Sequence, residues 1–215
     1  MYPVVIDLAA RRCLVVGGGR IAVRKAIGLL RSGARVVVVA KECCRRMRTI
    51  TPCVTLYERP YRESDVNRDF ILVIGATNDP DVNKSVSRRA AEINVLCNIV
   101  DEPALCSFVV PAVVRRGDIT VAVSTSATAP RLTRYLKTVV ADAVGPVHGE
   151  LAVYCGALRR RIRAAMPSIE IRNAFWQALF ATDPVVEIQT AGCEQYRSKA
   201  EALIREYSRK AVSGE

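Results

Sequence analysis

Residues 12–25 read RCLVVGGGRIAVRK, a short apolar run followed by three consecutive glycines and an amphipathic stretch. This order predicts a strand, a tight turn and a helix. The small residues follow the spacing G-x-G-x-x-A, at Gly17, Gly19 and Ala22. Gly17 permits the sharp turn, Gly19 lets a pyrophosphate approach the backbone, and Ala22 lets the helix pack closely on the strand. Because the first N–H groups of that helix favour an anion, the stretch predicts a dinucleotide site.

An ordinary glycine-rich turn is the alternative interpretation of this stretch. The motif follows a predicted strand, opens a predicted helix and lies near the N-terminus, and this context favours nucleotide binding. The cofactor contacts predicted from it are the glycines and the first helical residues: Gly17, Gly18, Gly19, Arg20, Ile21 and Ala22.

Strand and helix patterns alternate along the next eighty residues. Strands are predicted over residues 35–40, 54–58, 69–76 and 94–100, and the first and third of these are predicted to be buried strands. The helices predicted between them cover residues 21–30, 42–50 and 81–92. The alternation predicts an α/β protein with a Rossmann-type, right-handed, doubly wound parallel sheet.

The residues after the second strand bear on the choice of cofactor. A dinucleotide fold often places an acidic residue there to hold the adenosine ribose hydroxyls. Glu42 lies 23 residues past Gly19, close to the expected offset. Because Lys41 precedes it and Arg45 follows it, NADP remains an alternative, but we predict NAD with Lys41 and Glu42 as contacts.

Polar residues also follow the later strands, at the edge where an open α/β sheet binds its ligand. Thr77 and Asn78 are predicted cofactor contacts on this ground. Asp101 follows the strand that ends at residue 100, where a carboxylate can act as a general base or a metal partner. A turn-forming aspartate two residues before Pro103 is an equal alternative on the bare sequence. His148 is the one histidine, so a histidine-based pair or triad is excluded.

The pattern changes after Pro103. Residues 107–114 and 119–124 flank Arg-Arg-Gly-Asp and predict a hairpin, whose open edges suggest a dimerisation element. Predicted helices follow over residues 130–142, 147–165, 168–182 and 192–211, with Ser168 as an N-cap. We therefore predict an NAD-binding domain over residues 1–110, a dimerisation region of hairpin and helix over 111–144, and an all-helical C-terminal domain over 145–215.

Composition narrows the class of protein. The net charge is +11, and the arginines cluster, as at residues 159–163. Nucleic acid or a small polyanionic substrate would each explain this balance, but no nucleic-acid-binding motif is present, so we predict no nucleic-acid partner. The apolar runs are too short for a membrane span and the N-terminus lacks a secretory pattern, so we predict no membrane association. The eight cysteines include no C-x-x-C pair, which predicts neither disulfides nor a metal site in a reduced cytoplasmic protein.

Four stretches together resemble the siroheme synthase N-terminal family: residues 15–25, 76–79, 98–101 and 107–112. The similarity extends over nearly the whole chain, including the Arg-Arg-Gly-Asp hairpin. Members of this family are precorrin-2 dehydrogenases, and some are also sirohydrochlorin ferrochelatases. The resemblance implies a homodimer that oxidises precorrin-2 to sirohydrochlorin with NAD. It also implies a stand-alone form, because the chain ends where the fused methyltransferase of larger members begins.

The resemblance assigns roles to several residues. Asp101 falls on the family's catalytic aspartate, and substrate contacts are expected at Ser124, Thr125 and His148. Precorrin-2 bears eight carboxylates, which would explain the positive charge. Thr125 lies in the family's Ser-Thr-Gly-Gly-x-Ser-Pro turn, where this chain has Ser126 and Ala127 in place of the glycines and Ala129 in place of the serine. If the turn needs positive φ, these replacements would strain or reshape it.

Two other functions stay open. The first is a bifunctional enzyme that also inserts Fe²⁺ into sirohydrochlorin, with Asp101 assisting. The second is a non-catalytic nucleotide-sensing or nucleic-acid-binding regulator. The missing recognition motif and the position of Asp101 argue against this second alternative.

Overall fold

The computed structural model describes residues 1–126 and 128–213. The chain divides into two compact units. The first comprises Met1–Pro111 and Thr125–Ala129, and the second comprises Ala112–Ser124 and Pro130–Glu215. The hairpin therefore groups with the C-terminal helices.

The first unit is built on a five-stranded parallel sheet in the order β3-β2-β1-β4-β5. Its strands are β1 Arg12–Val16, β2 Arg35–Ala40, β3 Thr55–Glu58, β4 Phe70–Gly75 and β5 Leu96–Ile99. Its helices are α1 Arg20–Leu30, α2 Arg45–Thr49 and α3 Pro80–Glu92, with single 3₁₀ turns at Thr51–Cys53, Glu63–Asp65 and Pro103–Leu105.

Helices cover both faces of this sheet. Successive side chains of each strand point to opposite faces, so they pack into two separate cores. On one face, Val15 and Val38 pack with the α1 residues Ala22 and Ala26. On the other face, Leu14, Val37 and Val73 pack with Val86 and Ala90 of α3. The predicted α/β class with a doubly wound parallel sheet is confirmed.

Two elements of this unit begin two or more residues later than the sequence predicts. The helix predicted over residues 42–50 covers only Arg45–Thr49, because residues 42–44 form a turn in which the Cys44 amide donates to the Gly18 carbonyl at 3.0 Å. The last strand begins at Leu96 rather than at Asn94, which adopts a positive φ of 57° and closes α3.

The second unit combines an antiparallel hairpin with five helices among its described residues. The strands are β6 Ala112–Arg116 and β7 Ile119–Val123, with Val114 opposite Val121. The helices are α4 Pro130–Ala143, α5 Pro146–Ala165, α6 Ile169–Leu179, α7 Pro184–Ala191 and α8 Cys193–Ser213. Their core contains Leu158, Ile162, Phe175, Leu179 and Tyr196.

The hairpin and its turn occur where predicted, but β6 starts five residues later than expected. Ser107 belongs instead to the first unit, where its amide donates to the Cys97 carbonyl at 2.9 Å. The helix predicted over residues 168–182 begins as expected, with the Ser168 hydroxyl accepting from the Ile171 amide at 3.2 Å, and ends early at Leu179. The sequence analysis missed α7, whose N-cap Asp183 accepts from the amides of Val185 and Val186.

All eight cysteines are free thiols, four of them partly buried and two of them buried in the sheet. Among the described residues, no helix has both the length and the apolar character that a membrane crossing would require.

Candidate functional site

Three strands of the first unit end at one edge of the sheet, beside a cavity of about 710 Å³. The chain runs outward from β1 to β2 and β3 before it returns to β4, which lies on the other side of β1. Open α/β sheets bind ligands at such a reversal. The cavity is lined by Gly19, Arg20, Ile21, Ala76, Thr77, Asn78, Pro80, Asn83, Lys84, Val100, Asp101, Glu102, Ala104 and Leu105.

The glycine turn after β1 is set by close backbone contacts. Gly17 adopts a φ of 128°, and a side chain there would overlap the carbonyl oxygen of Ala76. A side chain on Gly18 would overlap the carbonyl oxygen of Glu42. These two glycines therefore let the turn pass between the ends of β4 and β2. Ala22 lies in the first turn of α1 and is fully buried.

Gly19 differs from its neighbours because its missing side chain faces open space. Apart from its two chain neighbours, no described residue has an atom within 4 Å of the position that a Cβ would take. Gly19 is the N-cap of α1, and no side chain caps the first N–H groups of that helix in the part of the chain that is described. Such uncapped N–H groups at a helix start bind anions. The open glycine and the uncapped helix fit the diphosphate of a dinucleotide.

The residues after β2 lie beside the glycine turn, although they do not line the cavity. The amide of Cys44 and the carbonyl of Glu42 both contact Gly18. Lys41 and Glu42 are exposed, and neither forms an ion pair with another residue in the described ranges. Their backbone position is therefore next to the turn, with the side chains available to a ligand.

The loop after β4 is held by an amide that the sequence analysis missed. Asn83, on α3, is almost fully buried. Its Oδ1 accepts from the Thr77 hydroxyl at 2.9 Å, and its Nδ2 donates to the Thr77 carbonyl at 3.1 Å. Asp79 caps α3 through the amides of Asp81 and Val82. Asn83 thus holds the loop that carries Thr77. The sequence analysis placed Asn83 on a helix, and nothing in that placement indicated a contact with Thr77.

Asp101 lies exposed in the cavity with a positive φ of 62°. The strand before it is anchored by Asn98, whose Nδ2 donates to the Phe108 carbonyl at 3.0 Å and whose Oδ1 accepts from Lys25 Nζ at 3.3 Å. The Ile99 amide donates to the sulfur of Cys106 at 3.1 Å. Asp101 therefore sits on a loop that is tied down on both sides.

Two cations accompany this carboxylate in the cavity lining. Arg20 and Lys84 are both exposed, and Lys84 lies only 3.9 Å from the carboxylate of Asp81. Burial lowers the pKa of the nearby Lys25 amine, an effect that Arg24 strengthens and that Cys106 and Asp101 oppose. The site thus places two cations, Arg20 and Lys84, and two carboxylates, Asp101 and Glu102, around one cavity.

The remaining predicted contacts, Ser124, Thr125 and His148, are not among the residues that line this cavity. Ser124 follows β7 in the second unit, and the hydroxyl of Thr125 accepts from the Ala129 amide at 3.1 Å. His148 lies on the first turn of α5, where its Nδ1 accepts from the Gly145 amide at 3.1 Å. Ser126 does adopt a positive φ, of 52°, while Ala127 lies outside the described residues.

Binding of a metal ion would require a group of ligating side chains. Within residues 1–126 and 128–213, no three His, Cys, Asp or Glu side chains come together in a group that could hold a metal ion.

Comparison with known families matches two parts of the chain. Residues 4–112 match a family model described as "Putative NAD(P)-binding". Residues 148–206 match one described as "Sirohaem synthase dimerisation region". The first match contains the whole cavity described above, and the second covers most of α5 to α8.

Curated relatives are longer proteins. The chain is 36% identical over 195 residues to the siroheme synthase of Thioalkalivibrio sulfidiphilus (strain HL-EbGR7), an alignment that covers 90% of this chain and 40% of the relative. It is 36% identical over 207 residues to the siroheme synthase of Pseudomonas aeruginosa (strain LESB58), covering 95% of this chain and 43% of the relative. The chain thus spans about two fifths of the length of these relatives.

A solved structure matches the chain over nearly its full length. The structure described as "SirC, precorrin-2 dehydrogenase" aligns with a TM-score of 0.71 and 25% sequence identity, covering 97% of this chain and all of that one.

Proposed function

Because the chain belongs to the siroheme synthase N-terminal family, we propose that it oxidises precorrin-2 to sirohydrochlorin with NAD. The observation that carries this proposal is the cavity at the sheet edge, which Gly19 and Asp101 line together. A dinucleotide held at Gly19 would bring its reactive end into the same space as a carboxylate.

The reaction removes one hydride and one proton from precorrin-2. A bound nicotinamide ring supplies the hydride acceptor. The chain's part is to bind, to orient and to take the proton. The glycine turn and the first N–H groups of α1 would hold the diphosphate, and Asn83 would keep Thr77 and its loop in place against the cofactor. The carboxylate of Asp101 would accept the proton as a general base.

Arg20 and Lys84 line the cavity together with the carboxylates of Asp101 and Glu102, so the support for an anionic substrate comes from the charge of the chain as a whole. The chain carries a net charge of +11. Such a field attracts polycarboxylates such as precorrin-2 and raises their local concentration. Ser124, Thr125 and His148 remain proposed substrate contacts, with only Nε2 of His148 open to a ligand because Nδ1 accepts the Gly145 amide.

We favour NAD over NADP because of Glu42. Its backbone contacts Gly18, and its carboxylate has no ion-pair partner among the residues described. A carboxylate at the adenosine ribose binds the free hydroxyls and repels a 2′-phosphate. Lys41 and Arg45 are the cations that would act in the opposite direction.

The direct test is an anaerobic incubation of the purified chain with precorrin-2 and NAD, followed by the absorption spectrum. We expect sirohydrochlorin and NADH to appear in equal amounts, and no product with Asp101→Asn on the same time scale. Adding Fe²⁺ or Co²⁺ afterwards tests insertion into sirohydrochlorin, which would make the enzyme bifunctional. A chain that binds NAD but leaves precorrin-2 unchanged would contradict the proposal.

We also propose a homodimer, together with a division into an NAD-binding domain over residues 1–110, a dimerisation region over 111–144 and a helical domain over 145–215. The hairpin β6–β7 has two strands and leaves edges that can pair. The match of residues 148–206 to a dimerisation region adds the helices to this proposal. Sedimentation velocity at micromolar concentration should give a dimer, and a monomer would contradict it.

A further inference from the structure

A second cavity, of about 610 Å³, lies within the second unit between α5 and α6. Its volume falls in the range of small-molecule sites. One wall is the face of α5 that carries Cys155, Gly156, Arg159 and Arg163, and the other is the face of α6 that carries Arg172 and Trp176. None of these residues takes part in the oxidation of precorrin-2 proposed above.

Three arginines give this cavity its charge. Arg159 and Arg163 are exposed and four residues apart, so they lie on the same face of α5. Neither forms an ion pair with any side chain in the described ranges, and no aspartate or glutamate is among the described lining residues. Arg172 is fixed in place, because its Nη1 donates to the carbonyls of Met166 and Pro167 at 2.7 and 2.6 Å. The cavity therefore presents guanidinium groups with no carboxylate in its lining, although Glu170 on α6 interacts electrostatically with Arg172.

Gly156 keeps the cavity open. It lies in the interior of α5, a 20-residue helix, where glycine is about 0.5–1 kcal/mol less favourable than alanine. Apart from its chain neighbours and the backbone of its own helix, no described atom lies within 4 Å of the position its Cβ would take. No close packing partner requires the missing side chain, so the space it leaves belongs to the cavity.

Aromatic and aliphatic surface borders the arginines. Trp176 is half-buried in the wall, while Phe180 and Ile169 are 45% and 58% exposed at the edge. Guanidinium groups bind carboxylates in bidentate pairs, and aromatic side chains stack on flat rings. The combination suits a flat ring that carries several carboxylates.

We propose that the cavity between α5 and α6 binds a flat polycarboxylate of the tetrapyrrole class, at a site in addition to the one that includes Asp101. The choice of a tetrapyrrole rests on the proposed function, whereas the choice of a ring with carboxylates rests on the arginines, Gly156 and Trp176. A second copy of the chain is the competing occupant, because the match for residues 148–206 is to a dimerisation region. An interface between two such faces would bring six arginines together, and the repulsion between their like charges disfavours it.

Trp176 is the only tryptophan of the chain, so its fluorescence reports on this cavity directly. The first probe is mellitate, a benzene ring with six carboxylates, titrated into the full chain without nicotinamide cofactor. The second is uroporphyrin, an octacarboxylate porphyrin, titrated by calorimetry. We expect mellitate to shift the Trp176 emission and uroporphyrin to bind more tightly than mellitate. Binding of mellitate alone, with no uroporphyrin heat, would overturn the tetrapyrrole assignment.

Three variants locate the binding. The double variant Arg159→Ala with Arg163→Ala removes charge from exposed helix positions, and Gly156→Leu fills the cavity with every arginine retained. Each should weaken uroporphyrin binding at least tenfold. Arg160→Ala is the matched control, because it removes an exposed arginine of the same helix that does not line the cavity, and it should change the affinity less than twofold. Leucine is a better helix former than glycine, so Gly156→Leu should have a thermal midpoint no lower than that of the wild type.

Other results would overturn the proposal. Equal uroporphyrin affinity in the wild type and in folded Gly156→Leu would place the ligand elsewhere. Dissociation of a dimer by Gly156→Leu, seen by sedimentation, would identify the face as an interface between copies. A chain that binds uroporphyrin here without oxidising precorrin-2 would support this site and contradict the proposed function. A chain that oxidises precorrin-2 but does not bind uroporphyrin here would support the proposed function and contradict this site.

Discussion

The side-chain amine of Lys25 donates a hydrogen bond to Oδ1 of Asn98 at 3.3 Å, joining α1 to β5 beneath the loop that carries Asp101. Asn98 is 7% exposed, and its Nδ2 donates to the Phe108 carbonyl. One buried amide therefore holds both the first helix and the far end of the Asp101 loop. The glycine turn and the carboxylate are linked through this contact.

Removing that amide should loosen the loop. We expect Asn98→Ala to lower the free energy of unfolding by about 1–3 kcal/mol, because the partly buried Phe108 carbonyl loses its donor. Urea unfolding measures the change. Lys25→Met is the comparison, since methionine keeps most of the apolar stem and leaves the Asn98–Phe108 bond in place, so its effect should be smaller. A larger effect of Lys25→Met would show that the amine, not the amide, anchors the loop.

Gly19→Val should weaken NAD binding at least tenfold, which corresponds to about 1.4 kcal/mol. The structure has open space at this position, so valine can be accommodated in the free protein and would occupy the space that a diphosphate needs. Calorimetric titration with NAD gives the dissociation constant. Gly28→Val on the same helix, also facing open space, is the control and should leave NAD affinity unchanged. An unaltered dissociation constant in folded Gly19→Val would remove the turn from the cofactor site.

Glu42→Ala should raise the kcat/KM for NADP relative to that for NAD at least tenfold, because the repulsion of a 2′-phosphate is lost. Steady-state rates with both cofactors measure the ratio. Glu92→Ala, which removes an exposed carboxylate from the last turn of α3, should leave the ratio as it is. Equal use of the two cofactors by the wild type would refute the preference and direct attention to Lys41 and Arg45.

Asp101→Asn should keep NAD affinity and lose ~10²–10⁴-fold in precorrin-2 turnover, the range for a general base. Asparagine tolerates the positive φ of 62° at this position as well as aspartate does, so the loop should keep its conformation. Glu102→Gln, at the neighbouring carboxylate of the same cavity, is the control and should retain most turnover. Wild-type turnover in Asp101→Asn would leave Asp101 a turn residue.

Stability should fall in alkaline solution because of two buried thiols. Burial raises the pKa of Cys13 to about 11 and that of Cys97 to about 12, from an ordinary value of 9.0. Between pH 9 and 11 the unfolded chain loses these protons while the folded chain keeps them, so unfolding becomes more favourable as pH rises. Each thiol contributes about 1.4 kcal/mol per pH unit.

Urea unfolding at several pH values measures this slope. Cys13→Ala should reduce the slope of the unfolding free energy against pH by the contribution of one thiol. Cys53→Ala, which removes an exposed thiol, should leave this slope unchanged. An identical slope in Cys13→Ala would mean that the Cys13 thiol ionises as readily in the folded chain as in the unfolded one.

Local patterns predicted most of the fold. The apolar runs of β1, β2 and β4 could be placed because strands buried on both faces need continuous apolar residues. The turn at Gly17 could be placed because only glycine tolerates its φ of 128° and its contact with Ala76. Helix α7 was missed because Pro184 served equally well as the end of one helix and the start of the next. The start of β6 was missed because Phe108, Val109 and Val110 are as apolar as the strand that follows Pro111.

The sequence by itself determined the individual strands, the glycine turn and the position of Asp101 after β5, because these follow from spacing along a single segment. Tertiary structure decided the contacts between distant segments. Lys25 and Asn98 meet across 73 residues, and neither has a neighbour in sequence that indicates the other. Likewise, Gly156 looks like a poor helix residue until α6 brings Arg172 and Trp176 opposite it. A cavity exists only between packed elements, so no single stretch of sequence can specify it.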